Sequence, residues 1–177
     1  MIAIVGRGIV LGFVLALVLL AIGAYCYFGL GLAPVATSSA PMPFEKFLAN
    51  RALHAVVGKA AHRPSPVDAS EANLRAGAMV YREDCAVCHG VPGEGPTNIA
   101  QGMFPKPPEL FRGKGVTDDP VGETFWKVQN GIRLTGMPGF HGRLSDAEMW
   151  QVSQLLANAG KLPESVQNDL KPSTTGR

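Results

Sequence analysis

Hydrophobic and polar positions are spread very unevenly along this chain. No Asp, Glu, Lys or Arg occurs between Arg7 and Glu45, and Ile9 to Leu32 is a run of 24 Val, Leu, Ile, Ala, Gly, Phe, Tyr and Cys residues. As a helix that run reaches about 36 Å, enough to cross a bilayer with some tilt. Tyr25, Tyr27 and Phe28 near its far end suit the membrane interface, and Arg7 is the single charge flanking the near end. By the positive-inside rule the N-terminus stays in the cytoplasm and everything after Leu32 lies outside. A cleaved signal peptide is the competing reading. Its apolar region usually has about 7–15 residues, and the best small-residue cleavage site here, Ser38-Ser39-Ala40, runs into Pro41. Cys26 follows the bulky Tyr25, which does not fit a lipoprotein site, so it reads as an apolar thiol within the membrane. An uncleaved anchor over 1–32 is the expectation.

Residues 33–67 read as a linker carrying one amphipathic helix. Pro, Ala, Ser and Thr dominate 33–43, and Phe44–Ala61 has an apolar stripe at Phe44, Leu48, Ala52 and Val56, smeared by Leu53 and Val57. The plain reading packs this helix on the following domain. The sharper one lays it against a membrane or a partner protein. Pro64 and Pro66 then break the chain.

Residues 68–163 read as an all-α domain with three main helices, and 164–177 as a flexible polar tail. The first helix starts near Ser70 and carries Leu74, Ala78 and Tyr81. The second takes Asp119 as N-cap and Pro120 as first helical residue, and stops at Asn130-Gly131. The third opens with a Ser145/Glu148 capping box and a Leu144/Met149 staple, buries Met149, Val152 and Leu156, and ends at Gly160 and Pro163. No alternating strand pattern and no internal repeat competes. Gly90 to Gly115 is a long Gly- and Pro-rich loop without periodicity, which is uncommon unless it is functional or covers something.

Composition narrows the class. Sixteen Lys and Arg against 14 Asp and Glu leave a net charge of +2, which argues against nucleic-acid binding. A 46% hydrophobic content argues against wholesale disorder, and three cysteines are too few for a disulfide scaffold.

The chemistry concentrates in Cys85-Ala86-Val87-Cys88-His89. This C-x-x-C-H pattern is the attachment signal of c-type haem. One helical turn separates the cysteines, so both sulfurs can bond to the vinyl groups on one porphyrin edge. His89 follows and can reach the iron as proximal ligand. A redox disulfide would be expected beside a βαβ unit, and a structural zinc site needs four ligands. The sixth iron ligand must come from elsewhere. Met79 and Met149 fall on apolar helix faces, where core packing is the default. His54 and His62 precede the domain and are expected to be solvated. Met137 lies in Gly136-Met137-Pro138-Gly139, a stiff turn able to present a thioether. It is the expected ligand, with Met103 and His141 as the remaining candidates.

The segment from about Ser70 to Pro163 resembles class I c-type cytochromes, and looks closest to the small monohaem domains grouped with subunit III of cbb3-type oxidases. The residues that carry the resemblance are Cys85-Ala86-Val87-Cys88-His89-Gly90, Pro108-Glu109-Leu110, Asn130-Gly131-Ile132-Arg133, Gly136-Met137-Pro138 and Leu144-Ser145-Asp146. They cover about half the chain; the anchor and the Phe44–Ala61 helix lie outside. The resemblance implies three main helices around one covalently bound haem c, the first and last crossing. It implies that the Pro108 carbonyl accepts the His89 ring N–H, and that Arg133 or Trp126 reaches a haem propionate. The oxidase subunit typically carries two haem domains; this chain has one C-x-x-C-H.

With His89 and Met137 on both faces, no small-molecule substrate would meet the iron. The expectation is an electron carrier, not an enzyme. It would be held single-pass in a bacterial inner membrane with the haem domain on the periplasmic side. It would pass electrons between respiratory-chain donors and a terminal oxidase or reductase, docking redox partners transiently or stably at the exposed haem edge near the cysteines. The alternatives are a permanent haem-bearing subunit of a dehydrogenase or oxidase complex and, with no signalling domain in view, a haem-based gas sensor. From residue 33 onward 15 cations face 14 anions, so net charge does not steer partners; the anchor would concentrate the domain at the membrane instead.

Overall fold

The computed structural model describes residues 2–112 and 119–171, and side chains in the first helix from Gly6 onward. Every regular element among them is helical. The chain divides into two compact units, 1–45 and 46–177. The first is dominated by α1 (Ile2–Gly29). Its stretch Gly6–Gly29 is long and apolar enough to cross a membrane, and its large side chains, Leu11, Phe13 and Leu20 among them, stand exposed.

The second unit begins with α2 (Glu45–Val57), so most of the segment expected as a linker belongs to it. The expected apolar stripe does not pack on the domain. Phe44 is 76% exposed, Leu48 62% and Val56 47%, and Ala52 is exposed too; Val57 is the residue that goes under. The reason is the short hook that follows. Ala60 and Arg63 place their carbonyls against Gly122, and the Arg63 guanidinium sits 4.6 Å from the Phe125 ring centroid. These contacts turn the end of the helix, not its stripe, toward the core.

The core is built by α3 (Glu71–Val80), α6 (Val121–Asn130) and α7 (Asp146–Ala157), with α7 packed on both others. Leu74, Ala78 and Tyr81 are buried as their spacing predicts. Gly77 permits the closest approach: a Cβ there would run into the Gln151 carbonyl of α7. Phe125 of α6 stacks on Trp150 of α7 with ring centroids 3.9 Å apart. The Ser145/Glu148 capping box forms, and Leu144 and Met149 are both buried. At α6 the start moves by one residue. Pro120 is the N-cap, with extended ψ of 135°, and the Asp119 carboxylate pairs with Lys127 Nζ instead of capping. Met79, expected in the core, is 66% exposed, because the face of α3 that meets α7 runs through Leu74, Gly77 and Ala78. The long loop holds α5 (Asn98–Gly102), capped by Thr97, whose side-chain oxygen accepts from Ala100 N–H; residues 113–115 of that loop lie outside the described residues.

Residues 164–171, expected as part of a flexible tail, fold. A 3₁₀ turn (Ala159–Lys161) leads into α8 (Glu164–Asp169), which packs on α3. Val166 and Leu170 are 0% and 1% exposed, and Asp169 holds Arg75 Nε at 2.7 Å. Two apolar side chains in a polar segment escaped the helical pattern because one turn is too short to show a period. Residues 172–177 of the expected tail lie outside the described residues.

Beyond Val80 the helix widens into a π-helical segment, Tyr81–Cys85, before α4 (Ala86–His89). Here Asp84 is clamped by Arg143, from the loop before α7, at 2.6 Å, and Arg143 also lies 3.6 Å from Glu83. The Asp84 side chain is only 5% exposed. Burial pushes its pKa above the ordinary value, and Arg143 opposes that rise.

Two predictions test this packing. Leu170→Ala should cost about 2–4 kcal/mol in thermal or denaturant unfolding, the usual penalty for emptying a core site; a true tail residue would cost nothing. Arg143→Met should destabilise at pH 7 by about 1–3 kcal/mol, because it strands a buried carboxylate. Since the folded Asp84 pKa is raised, its ionisation subtracts stability as pH rises above the unfolded value. The Arg143→Met deficit should therefore shrink at low pH, and Asp84→Asn should be at least as stable as the parent at pH 7.

Candidate haem-binding site

The helix that begins at Ser70 delivers Cys85, Cys88 and His89 at its far end. All three are half-buried, and both cysteines are free thiols. The Cys85 thiol packs against the core; burial, then the Asp84 and Cys88 charges, push its pKa up to about 12. Among the described residues no three His, Cys, Asp or Glu side chains converge on a point where a metal ion could sit. Cys85, Cys88 and His89 are thus not gathered as the ligands of a structural zinc site are.

His89 is held by its outer ring nitrogen. Nδ1 lies 2.8 Å from the Pro108 carbonyl oxygen, which can only accept, so the proton sits on Nδ1 and the lone pair on Nε2. Burial lowers the His89 pKa, against the raising effect of the Pro108 bond, which favours the neutral ring that a metal needs. Two contacts that the sequence did not announce brace this turn. The buried Tyr81 hydroxyl donates to the Gly90 carbonyl at 2.7 Å, and the Tyr81 ring meets Phe111 edge-on at 4.9 Å. Gly90, at φ 73°, is where the helix stops. Thr97 Oγ1 donates to the Val87 carbonyl at 2.9 Å and ties the loop to α4.

Met137 is half-buried, packs on the core cluster and is fixed by its own loop. Its carbonyl accepts from Ile132 N–H at 3.2 Å, and its N–H donates to Thr135 Oγ1 at 3.1 Å. Phe140 N–H returns to the Val128 carbonyl, closing the loop onto α6. Gly131, at φ 68°, makes the closure possible: a Cβ there would stand 2.6 Å from Gly139 N. Met103 is half-buried beside the same loop, its methyl against Gly136 where a Cβ would collide.

The remaining candidates are scattered. His141 is exposed, with Nδ1 3.3 Å from the Gln129 carbonyl. His54 and His62 are exposed, and Met149 is buried in the core at 1%. Trp126 is half-buried on α6, and Arg133 is exposed in the Met137 loop. The donor set fits a c-type haem: two unpaired thiols one turn apart, a neutral imidazole with a free Nε2, and a thioether in a braced loop. Tyr81, Thr97 and Thr135 were missed because a single hydroxyl carries no spacing signal. Gly131 was read as a helix stop and as part of a matching motif, not as the point where the Met137 loop closes.

Comparison with known proteins agrees with this chemistry. Residues 72–156 match the family model described as cytochrome c oxidase, cbb3-type, subunit III. The match runs from α3 to the end of α7 and spans just under half of the chain. No curated protein matches this chain. One solved chain from the Kuenenia stuttgartiensis reducing HAO-like protein complex is similar at 28% identity, over 53% of this chain and 46% of that one, with a TM-score of 0.47. The chain thus spans less than half the length of that relative. With the C-x-x-C-H motif closing its first core helix, the segment 72–156 is similar to the c-type cytochrome domains of the cbb3 subunit III family.

Proposed function

We propose that this chain is a membrane-anchored monohaem cytochrome. It would carry single electrons on the periplasmic face of a bacterial inner membrane, between respiratory-chain donors and a terminal oxidase or reductase. The observation that carries the reading is the Pro108–His89 hydrogen bond at 2.8 Å, which leaves Nε2 free beside the two thiols. When bound, haem c supplies a one-electron ferric/ferrous couple, and His/Met ligation raises its potential.

The chain's own residues set the rest. Cys85 and Cys88 hold the porphyrin edge as thioethers. His89 is the proximal donor, its ring direction and basicity fixed through Pro108. Met137 is the distal donor, with its backbone tethered at both sides so that the thioether keeps its place in either oxidation state. With His89 and Met137 both holding the haem iron, substrate would find no open coordination position. Arg133 and Trp126 are the proposed propionate contacts. Val87 and Ile99, each 51% exposed, flank the attachment turn and give redox partners an apolar edge to meet. Arg7, near the N-terminal end of α1, sets the topology, with the domain outside.

The test is a redox difference spectrum of the detergent-solubilised protein with CO added after reduction. A low-spin c-type spectrum, one haem per chain that resists acid–acetone extraction, and no change with CO are expected. Met137→Ala should open the site and bind CO readily. A parent protein whose reduced spectrum shifts at once with CO would overturn the carrier reading in favour of gas sensing or catalysis.

A further inference from the structure

α2 is fastened to its unit by its C-terminal end. Val57 is 1% exposed, and just beyond it the Ala60 and Arg63 carbonyls press on Gly122. The Arg63 guanidinium lies 4.6 Å from the Phe125 ring centroid and 5.3 Å from that of Trp150. The rest of α2, from Lys46 to Ala52 and from His54 to Val56, stands exposed. At about 100° per residue, Phe47, Leu48, Arg51 and Ala55 share one arc of about 100°, with Leu53 opposite. Phe47 and Leu48 are each 62% exposed, and Arg51 and Ala55 are exposed with them.

Charge says what covers this face. Residues 45–63 hold Lys46, Arg51, Lys59 and Arg63 against the single acid Glu45. Lys46, Arg51 and Lys59 are exposed, while the Glu45 carboxylate accepts the Met42 N–H at 2.7 Å. Large apolar side chains beside exposed cations are the composition of a helix lying in a bilayer interface, with basic groups drawn to anionic headgroups. Chain length supplies the proximity. Only residues 30–44 separate Gly29 from Glu45, and fully extended they span about 50 Å. A bilayer crossed by α1 is always within reach of α2.

We infer that α2 rests on the surface of the bilayer that α1 crosses, Phe47 and Leu48 entering the headgroup–acyl boundary and Arg51, on the same arc, meeting anionic lipid. The inference rests on α1 being a membrane anchor. Its consequence is a second contact that restrains how the cytochrome domain turns on its tether, so the haem edge is presented to membrane partners from a restricted set of orientations.

The test is site-directed spin labelling of the full-length haem-loaded protein in vesicles of phosphatidylcholine and phosphatidylglycerol. Single cysteines at Leu48→Cys or Val18→Cys are placed on a Cys26→Ser background, Cys85 and Cys88 being held in thioethers. Collision with oxygen and with a water-soluble nickel chelate reports depth. The label at 48 is expected to favour oxygen, at shallower depth than the label at 18. Adding Arg51→Glu, or omitting the phosphatidylglycerol, should raise chelate collisions at 48 several-fold and leave 18 unchanged. A label at 48 freely reached by the chelate while 18 stays deep overturns the inference and leaves the anchor standing. A label at 48 shielded from both reagents means a protein partner or a second copy covers α2, and also overturns it. A label at 18 reached by the chelate overturns the anchor and this inference together.

Discussion

The site depends on how closely α3 can lie on α7. At Gly77 there is no room for even a methyl group, because the Gln151 carbonyl occupies that space. The contact fixes the position of α3, and everything downstream on that helix inherits it. Tyr81 is carried into the core, where its hydroxyl reaches Gly90. The π-helical segment that follows adds a residue to the turn and changes which way Cys85, Cys88 and His89 face. α8 packs on α3 and Arg143 grips Asp84, so the same helix is held along its length and again where the thiols begin. A close-packed interior transmits such a constraint without much loss. The attachment turn is thus a rigid extension of the core.

The two proposed donors are presented by different means. His89 sits at the end of a long, well-packed helix and is locked by one bond to Pro108 from the following loop. Met137 sits on a loop, and loops hold position only when their backbone groups are paired. Here Ile132, Thr135 and Phe140 pair them, and the facing Gly131 and Gly139 let the two arms touch. An electron carrier gains from this arrangement, because a donor that hardly moves between oxidation states keeps reorganisation small. Partner choice is a separate matter; Val87 and Ile99 stand exposed by the motif, and the near-balanced charge gives little guidance.

Much of this was legible in the residues. Period and caps placed α3, α6 and α7, since each is long enough for several turns to repeat its pattern, and the attachment motif fixed where the chemistry sits. What escaped has physical reasons. α8 is six residues long, so Val166 and Leu170 had no period to reveal them. The stripe on α2 was visible, but whether a stripe meets protein or something else depends on the hook at Ala60–Arg63, a tertiary feature. Met79 falls on an apolar helix face and was expected in the core, yet the tight crossing at Gly77 selects a neighbouring face and leaves it outside. Pro108 entered through family resemblance; no periodicity or spacing singles out a carbonyl 19 residues from its histidine.

The central claim is that Met137 completes the iron site opposite His89, and the near-infrared spectrum of the ferric protein tests it most directly. Methionine ligation gives a weak sulfur-to-iron charge-transfer band there. The account predicts that the band is present in the parent protein, survives Met103→Ala and His141→Ala, and vanishes in Met137→Ala. A band that persists in Met137→Ala, or is absent from the parent, would contradict it.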